Sequence, residues 1–126
     1  MVRVAIADDS EAIRERIKAM VSLIPGVEVV GEAIDGVETA IMVHKIKPDV
    51  LILDLQMPKL SGLEILSRVK ETVPTPIVVV LTNFSTSPLK AMCLQKGADY
   101  FFDKSTEFEK AIALIEKIAV APASAC

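Results

Sequence analysis

Residues 49–62 read DVLILDLQMPKLSG, and the fold turns on how they are read. Val50, Leu51, Ile52 and Leu53 form an unbroken apolar run, the pattern of a strand buried on both faces, and such strands belong to parallel sheets. The run stops at a carboxylate, Asp54. A charge at the mouth of a buried strand costs free energy unless it is paired, so partners for Asp54 are expected elsewhere in the chain.

Four more runs rich in β-branched and aromatic residues flank this one: VRVAIA from Val2, VEVVGEA from Val27, PIVVVLT from Pro76 and DYFFDK from Asp99. Helical spacing fills the intervals, as in Ile13, Ile17, Met20, Val21 and Ile24, and follows the last strand in Phe108, Ala111, Ile112, Ile115 and Ala119. Asp35 with Glu38, Ser61 with Glu64 and Thr106 with Glu109 read as capping boxes, and Ser87-Pro88 as an N-cap followed by proline. Gly26 and Gly97 suit helix ends. Strict β-then-α alternation requires right-handed crossovers and a parallel sheet covered on both faces. The expected fold is α/β, a (βα)5 doubly wound parallel five-stranded sheet.

With 126 residues, 52% of them hydrophobic, the chain suits one domain over residues 1–120, leaving 121–126 as a short tail or truncated linker. A net charge of −3 argues against direct nucleic-acid binding. Cys93 falls in a helical pattern and is expected to pack as a small hydrophobe, with redox sensing the minor alternative; Cys126 ends the tail, so a disulfide is not expected. No apolar stretch approaches the roughly 20 residues that cross a bilayer, and no signal-peptide core precedes the first strand. A soluble cytoplasmic protein is expected, with no membrane partner.

In an open α/β sheet, ligands bind outside the carboxyl ends of the strands, where strand order reverses. The first strand ends in Asp8 and Asp9, the third in Asp54, the fourth in Thr82 and the fifth in Lys104. Clustered carboxylates repel and take up protons unless a cation neutralises them. Lys104 supplies one positive charge, and a hard divalent ion, Mg2+, is expected to supply the rest. Neither Thr82 nor Lys104 is a sensible ligand for that ion, so both point to an anion. If Asp54 attacks a phosphoryl donor, the metal, the ammonium and the hydroxyl together spread the charge of the transferred group.

Four stretches in order, ADDS, DLQMPKLSG (as DxxMPxxxG), VVVLT and GADYFFDK, resemble the receiver domain of two-component response regulators from Val2 to about Ala119. The resemblance implies the flavodoxin-like strand order 2-1-3-4-5. It implies that Asp54 is the phosphoacceptor, that Asp9 binds Mg2+ directly and Asp8 through water, and that the Gln56 backbone carbonyl completes the set. Thr82 would contact the phosphoryl group, Lys104 would pair with Asp54 and then with its phosphate, and Phe101 would be the switch aromatic. Three departures stand out. Ser105 follows Lys104 where the family usually has a proline after a cis bond, and since a cis bond before a non-proline residue costs about 2.5–4 kcal/mol, a trans bond and a shifted loop are expected. Phe101 lacks a tyrosine hydroxyl, so a switch must work by burying its ring. Asn83 and Phe84 follow Thr82 as a bulkier site cover, and Phe84 is expected to hinder an attacking water.

Each residue also has a plainer reading. Asp8 and Asp9 could be helix-start acids, Asp54 a turn residue, Lys104 a surface lysine and Thr82 a strand threonine; it is their combination that speaks against this. His44 has no second histidine or cysteine near it in sequence and is assigned no role.

The resemblance implies a signalling module rather than an enzyme: a histidine kinase or phosphotransfer protein donates to Asp54, and a downstream protein target reads the face built by residues 87–119. The same face is open to homodimer formation. GVEVVGEAIDGVE resembles receivers attached to DNA-binding domains, but no such domain follows, so a protein–protein output is expected. The alternatives are a pseudo-receiver scaffold that never takes phosphate, for which clustered carboxylates have no use, and an Mg2+-dependent aspartyl-phosphate phosphohydrolase, whose usual DxD pair is absent from ADDSE. A flavodoxin-like cofactor carrier fails because the first loop is acidic and lacks glycine.

Overall fold

The computed structural model describes residues 1–83 and 86–120. The elements alternate strictly: β1 (Val2–Ala7), α1 (Glu11–Val21), β2 (Val27–Ala33), α2 (Gly36–Ile46), β3 (Val50–Leu53), α3 (Gly62–Lys70), β4 (Ile77–Thr82), α4 (Ser87–Gln95), β5 (Tyr100–Asp103) and α5 (Phe108–Val120). All strand pairs are parallel and the sheet order is β2-β1-β3-β4-β5, so the strand order reverses between β1 and β3.

The unbroken apolar runs have their explanation in two cores. Val4 and Ile6, Val50 and Ile52, and Val79 and Leu81 face one side, where they meet Ile17 and Val21 of α1 and Phe108, Ile112 and Ile115 of α5. The alternate residues Ala5 and Ala7, Leu51 and Leu53, and Val78 and Val80 face the other, against Val43 of α2, Ile65, Leu66 and Val69 of α3 and Cys93 of α4. Successive strand side chains point to opposite faces, so a sheet covered on both must be apolar at every position. Cys93 is buried, as expected of a packing thiol, and burial pushes its pKa up, which leaves it an unreactive neutral group.

The helix starts mostly follow the local signals. Asp35 accepts from the Glu38 N–H at 2.7 Å and Ser61 from the Glu64 N–H at 3.2 Å. Two starts differ. The N-cap of α4 is Thr86, whose hydroxyl accepts from the Leu89 N–H, while Ser87 is already helical and Pro88 occupies the first turn, where an amide hydrogen has no helical partner to lose. Before α5, the reciprocal pair is Asp103 and Glu107 in place of Thr106 and Glu109: Asp103 Oδ1 accepts from the Ser105 and Thr106 amides, and Glu107 Oε1 accepts from the Asp103 N–H. Gly26 and Gly97 take φ of +83° and +114°, the left-handed conformation that glycine adopts without strain. Gly62 is required for another reason: a Cβ there would lie 2.7 Å from Leu55 Cβ, so the glycine lets α3 begin directly against the loop that leaves β3.

Candidate functional site

Backbone hydrogen bonds carry the sheet pattern just past its strands and so aim the site residues. Asp8 N–H donates to the Ala33 carbonyl at 3.0 Å, Asp54 N–H to Ala7 at 2.9 Å and Lys104 N–H to Thr82 at 2.9 Å. Asp8, Asp54, Thr82 and Lys104 therefore meet at one edge, at the reversal of strand order.

Lys104 Nζ donates to Asp8 Oδ2 at 2.7 Å and to Asp54 Oδ2 at 3.1 Å, with all three side chains buried. The other oxygens are held locally: Asp8 Oδ1 accepts from the Ser10 N–H at 2.8 Å and Asp54 Oδ1 from the Gln56 N–H at 3.1 Å. Asp9 is exposed at the rim, and one carboxylate oxygen from each of Asp8, Asp9 and Asp54 falls within 4.8 Å of the others. Burial pushes the Asp8 carboxyl above its ordinary range, against the lowering effect of Lys104 and the Ser10 amide. Burial also acts to lower the Lys104 pKa, but Asp8 and Asp54 outweigh it and the net shift is upward. The two shifts pull the pair in opposite directions, and the 2.7 Å contact decides for the ion pair. What remains is the cost of holding two buried carboxylates against one ammonium, and a hard divalent cation at the open side fits that deficit.

The other residues divide. Gln56 and Asn83 line the acidic pocket with Asp8, Asp9, Asp54 and Lys104. Thr82 instead lines a neighbouring, more apolar hollow with Leu55, Gln56, Gly62, Leu63 and Leu89, where its Oγ1 is buried with no hydrogen-bond partner among the described residues. Phe101 is only 6% exposed and packs into the core, whereas its neighbour Tyr100 is 41% exposed. Phe84, expected as a site cover, lies outside the described residues.

Sequence reasoning passed over several contributors. Ser10 caps α1 through its hydroxyl while its amide holds Asp8, and a serine directly after the acidic pair was a readable signal. Arg14 Nη1 donates to the Asp8 carbonyl at 2.8 Å while its Nε pairs with Glu32 Oε1, tying the first loop to β2; nothing local announces a partner on another strand. Ser105, after a trans bond as expected, donates its hydroxyl to Asn83 Oδ1 at 3.2 Å and links the loops after β4 and β5. Arg16 lines the acidic pocket and lies 3.9 Å from the Phe108 ring centroid.

A family model, the response regulator receiver domain, matches residues 4–116. Over 119 residues the chain is 40% identical to a protein-glutamate methylesterase/protein-glutamine glutaminase of Carboxydothermus hydrogenoformans; the match takes in 92% of this chain and 35% of that protein, so the chain spans about a third of the relative's length. The response regulator domain of Thermotoga maritima CheB superposes with a TM-score of 0.83 at 31% identity, covering 97% of this chain and 99% of that one. A chain of the CheX–CheY–BeF3–Mg2+ complex from Borrelia burgdorferi superposes with a TM-score of 0.83 at 27% identity, covering 95% and 90%. Among the described residues no helix is long and apolar enough to cross a membrane.

Proposed function

The chain belongs to the family of response regulator receiver domains, phosphoryl acceptors in signalling, and from that premise we propose that Asp54 is the acceptor here and that the donor is a histidine kinase or phosphotransfer protein. The observation that carries the reading is the single ammonium shared by two buried carboxylates at the strand-order reversal.

An ionised carboxylate is already a nucleophile and has no proton to lose. Lys104 pairs with one Asp54 oxygen and points the carboxylate, and the Gln56 amide fixes the other oxygen. As an Asp54 oxygen joins phosphorus, the donor's P–N bond breaks and its pair returns to the histidine nitrogen, while Lys104 exchanges part of its contact with the carboxylate for the incoming phosphoryl oxygens. Asp8, Asp9, Asp54 and the Gln56 carbonyl would hold Mg2+, and the Mg2+ named in the Borrelia complex supports that assignment. The ion's chemistry is neutralisation of phosphoryl charge. Thr82 donates its unpartnered hydroxyl to the phosphoryl group, a bond that draws it from the apolar hollow and leaves volume there. Phe101, packed in the adjoining core, repacks in response and alters the face over residues 87–119, where the downstream protein target or a second copy docks. Asn83, held by Ser105, borders the site.

The receiver unit is residues 1–120, it acts in the cytoplasm, and its chemistry is limited to its own phosphorylation and dephosphorylation. The test is intact mass after incubation with acetyl phosphate and Mg2+. A gain of one phosphoryl group in the wild type and none in Asp54→Asn is expected. Equal gain in both places the acceptor elsewhere; no gain from this donor or from any active kinase makes the chain a scaffold.

A further inference from the structure

Among the residues lining the acidic pocket, the cations are Lys104 and Arg16. Lys104 is committed to Asp8 and Asp54. Arg16 has no carboxylate partner among the described residues: on the same helix Glu15 pairs with Lys18, and Glu32 takes Arg14 and Lys18. Its guanidinium is nonetheless held, 3.9 Å from the ring centroid of Phe108, which is itself 4% exposed and fixed in the core. Stacking on a ring occupies the face of a guanidinium and leaves its N–H edge free for an anion.

We infer that Arg16 is a donor-specificity residue that, among small-molecule phosphoryl donors, favours those whose leaving group departs as an anion. The inference rests on Asp54 being the acceptor. In an in-line transfer the bond from an Asp54 oxygen to phosphorus forms on one side as the bond to the leaving group breaks on the other. Asp54 is 4% exposed at the pocket floor and Arg16 is exposed at its rim, so the leaving group departs towards the side that carries Arg16. With an acyl phosphate, the electron pair of the breaking P–O bond ends on a carboxylate oxygen, and a guanidinium edge is matched to that charge and shape. With phosphoramidate, the pair of the breaking P–N bond ends on nitrogen; that atom already carries three hydrogens and leaves as neutral ammonia, so Arg16 has no developing charge to meet.

The test compares phosphorylation rates by intact mass, in the presence of Mg2+, with acetyl phosphate and with phosphoramidate. The wild type, Arg16→Gln and Arg16→Lys are measured with both donors on the same preparations, so partial unfolding of a variant cancels in the ratio. The acetyl phosphate to phosphoramidate ratio is expected to fall about fivefold in Arg16→Gln, the scale of an exposed charge contact, with Arg16→Lys in between because it keeps the charge and loses the planar edge. An unchanged ratio in both variants, with the wild type taking phosphate, overturns the inference and leaves the acceptor reading standing. A wild type that takes phosphate from neither donor removes the premise and the inference with it.

Discussion

Among the described residues Thr82 Oγ1 is the buried side-chain polar atom that finds no partner, and its position at the end of β4 gives that cost a use. An unmet hydroxyl in an apolar setting loses its hydrogen bonds to water with no replacement, whereas an isosteric methyl loses nothing. Thr82→Val is therefore expected to raise the stability of the unphosphorylated domain by about 1 kcal/mol in urea denaturation. The same variant is expected to lose the coupling between Asp54 phosphorylation and the output face, read as loss of phosphorylation-dependent hydrogen-exchange changes over residues 87–119. A valine that destabilises the domain means that the hydroxyl is satisfied in the folded state.

The helices are set by their first turns, and α2 shows how such a start responds to acid. The Asp35 carboxyl is held below its ordinary range by the Glu38 amide first and by Lys59 as well, and that of Glu32 by Lys18 first and then by Arg14. A carboxyl whose folded pKa is depressed adds stability above its unfolded value, about 4, and that stability is lost as the pH falls through the folded value. Domain stability is expected to decline on acidification below about pH 4, and Asp35→Asn to make that decline shallower, as followed by urea midpoints across pH. Asp8 works in the opposite sense: burial raises its folded pKa, so its contribution improves as it takes up a proton.

For the whole molecule, the acidic edge is a point of tension that a ligand can relieve. Anything that binds the folded state alone stabilises it by mass action, by about 2.7 kcal/mol at a hundredfold excess over its Kd. Mg2+ is expected to raise Tm in the wild type and to raise it less in Asp9→Asn, with Ca2+ and Na+ at equal ionic strength separating specific binding from screening. On the proposed assignment the proton and the metal compete for Asp8, so the Mg2+-dependent rise is expected to shrink as the pH is lowered into the raised titration range of that residue. A rise that is independent of pH and unaffected by Asp9→Asn would place the ion away from this edge.

By itself the sequence determined the order and type of the elements and the edge at which the acidic groups gather. Those are short-range properties: a run such as Val50–Leu53, set among β-then-α repeats, fits a strand covered on both faces, and the charge that follows it then sits at the strand's end. Tertiary structure decided which groups meet. Lys104 reaches Asp8 across 96 residues of chain, Arg16 finds Phe108 on another helix, and Ser105 finds Asn83 on another loop. It also decided the approaches to α4 and α5: Thr86 in place of Ser87 accepts from the Leu89 amide, and Asp103 in place of Thr106 organises the turn before α5 by accepting from the Ser105 and Thr106 amides. Several oxygens compete for the same few amides with nearly equal local energies, so the packing of each loop against its neighbours selects among them.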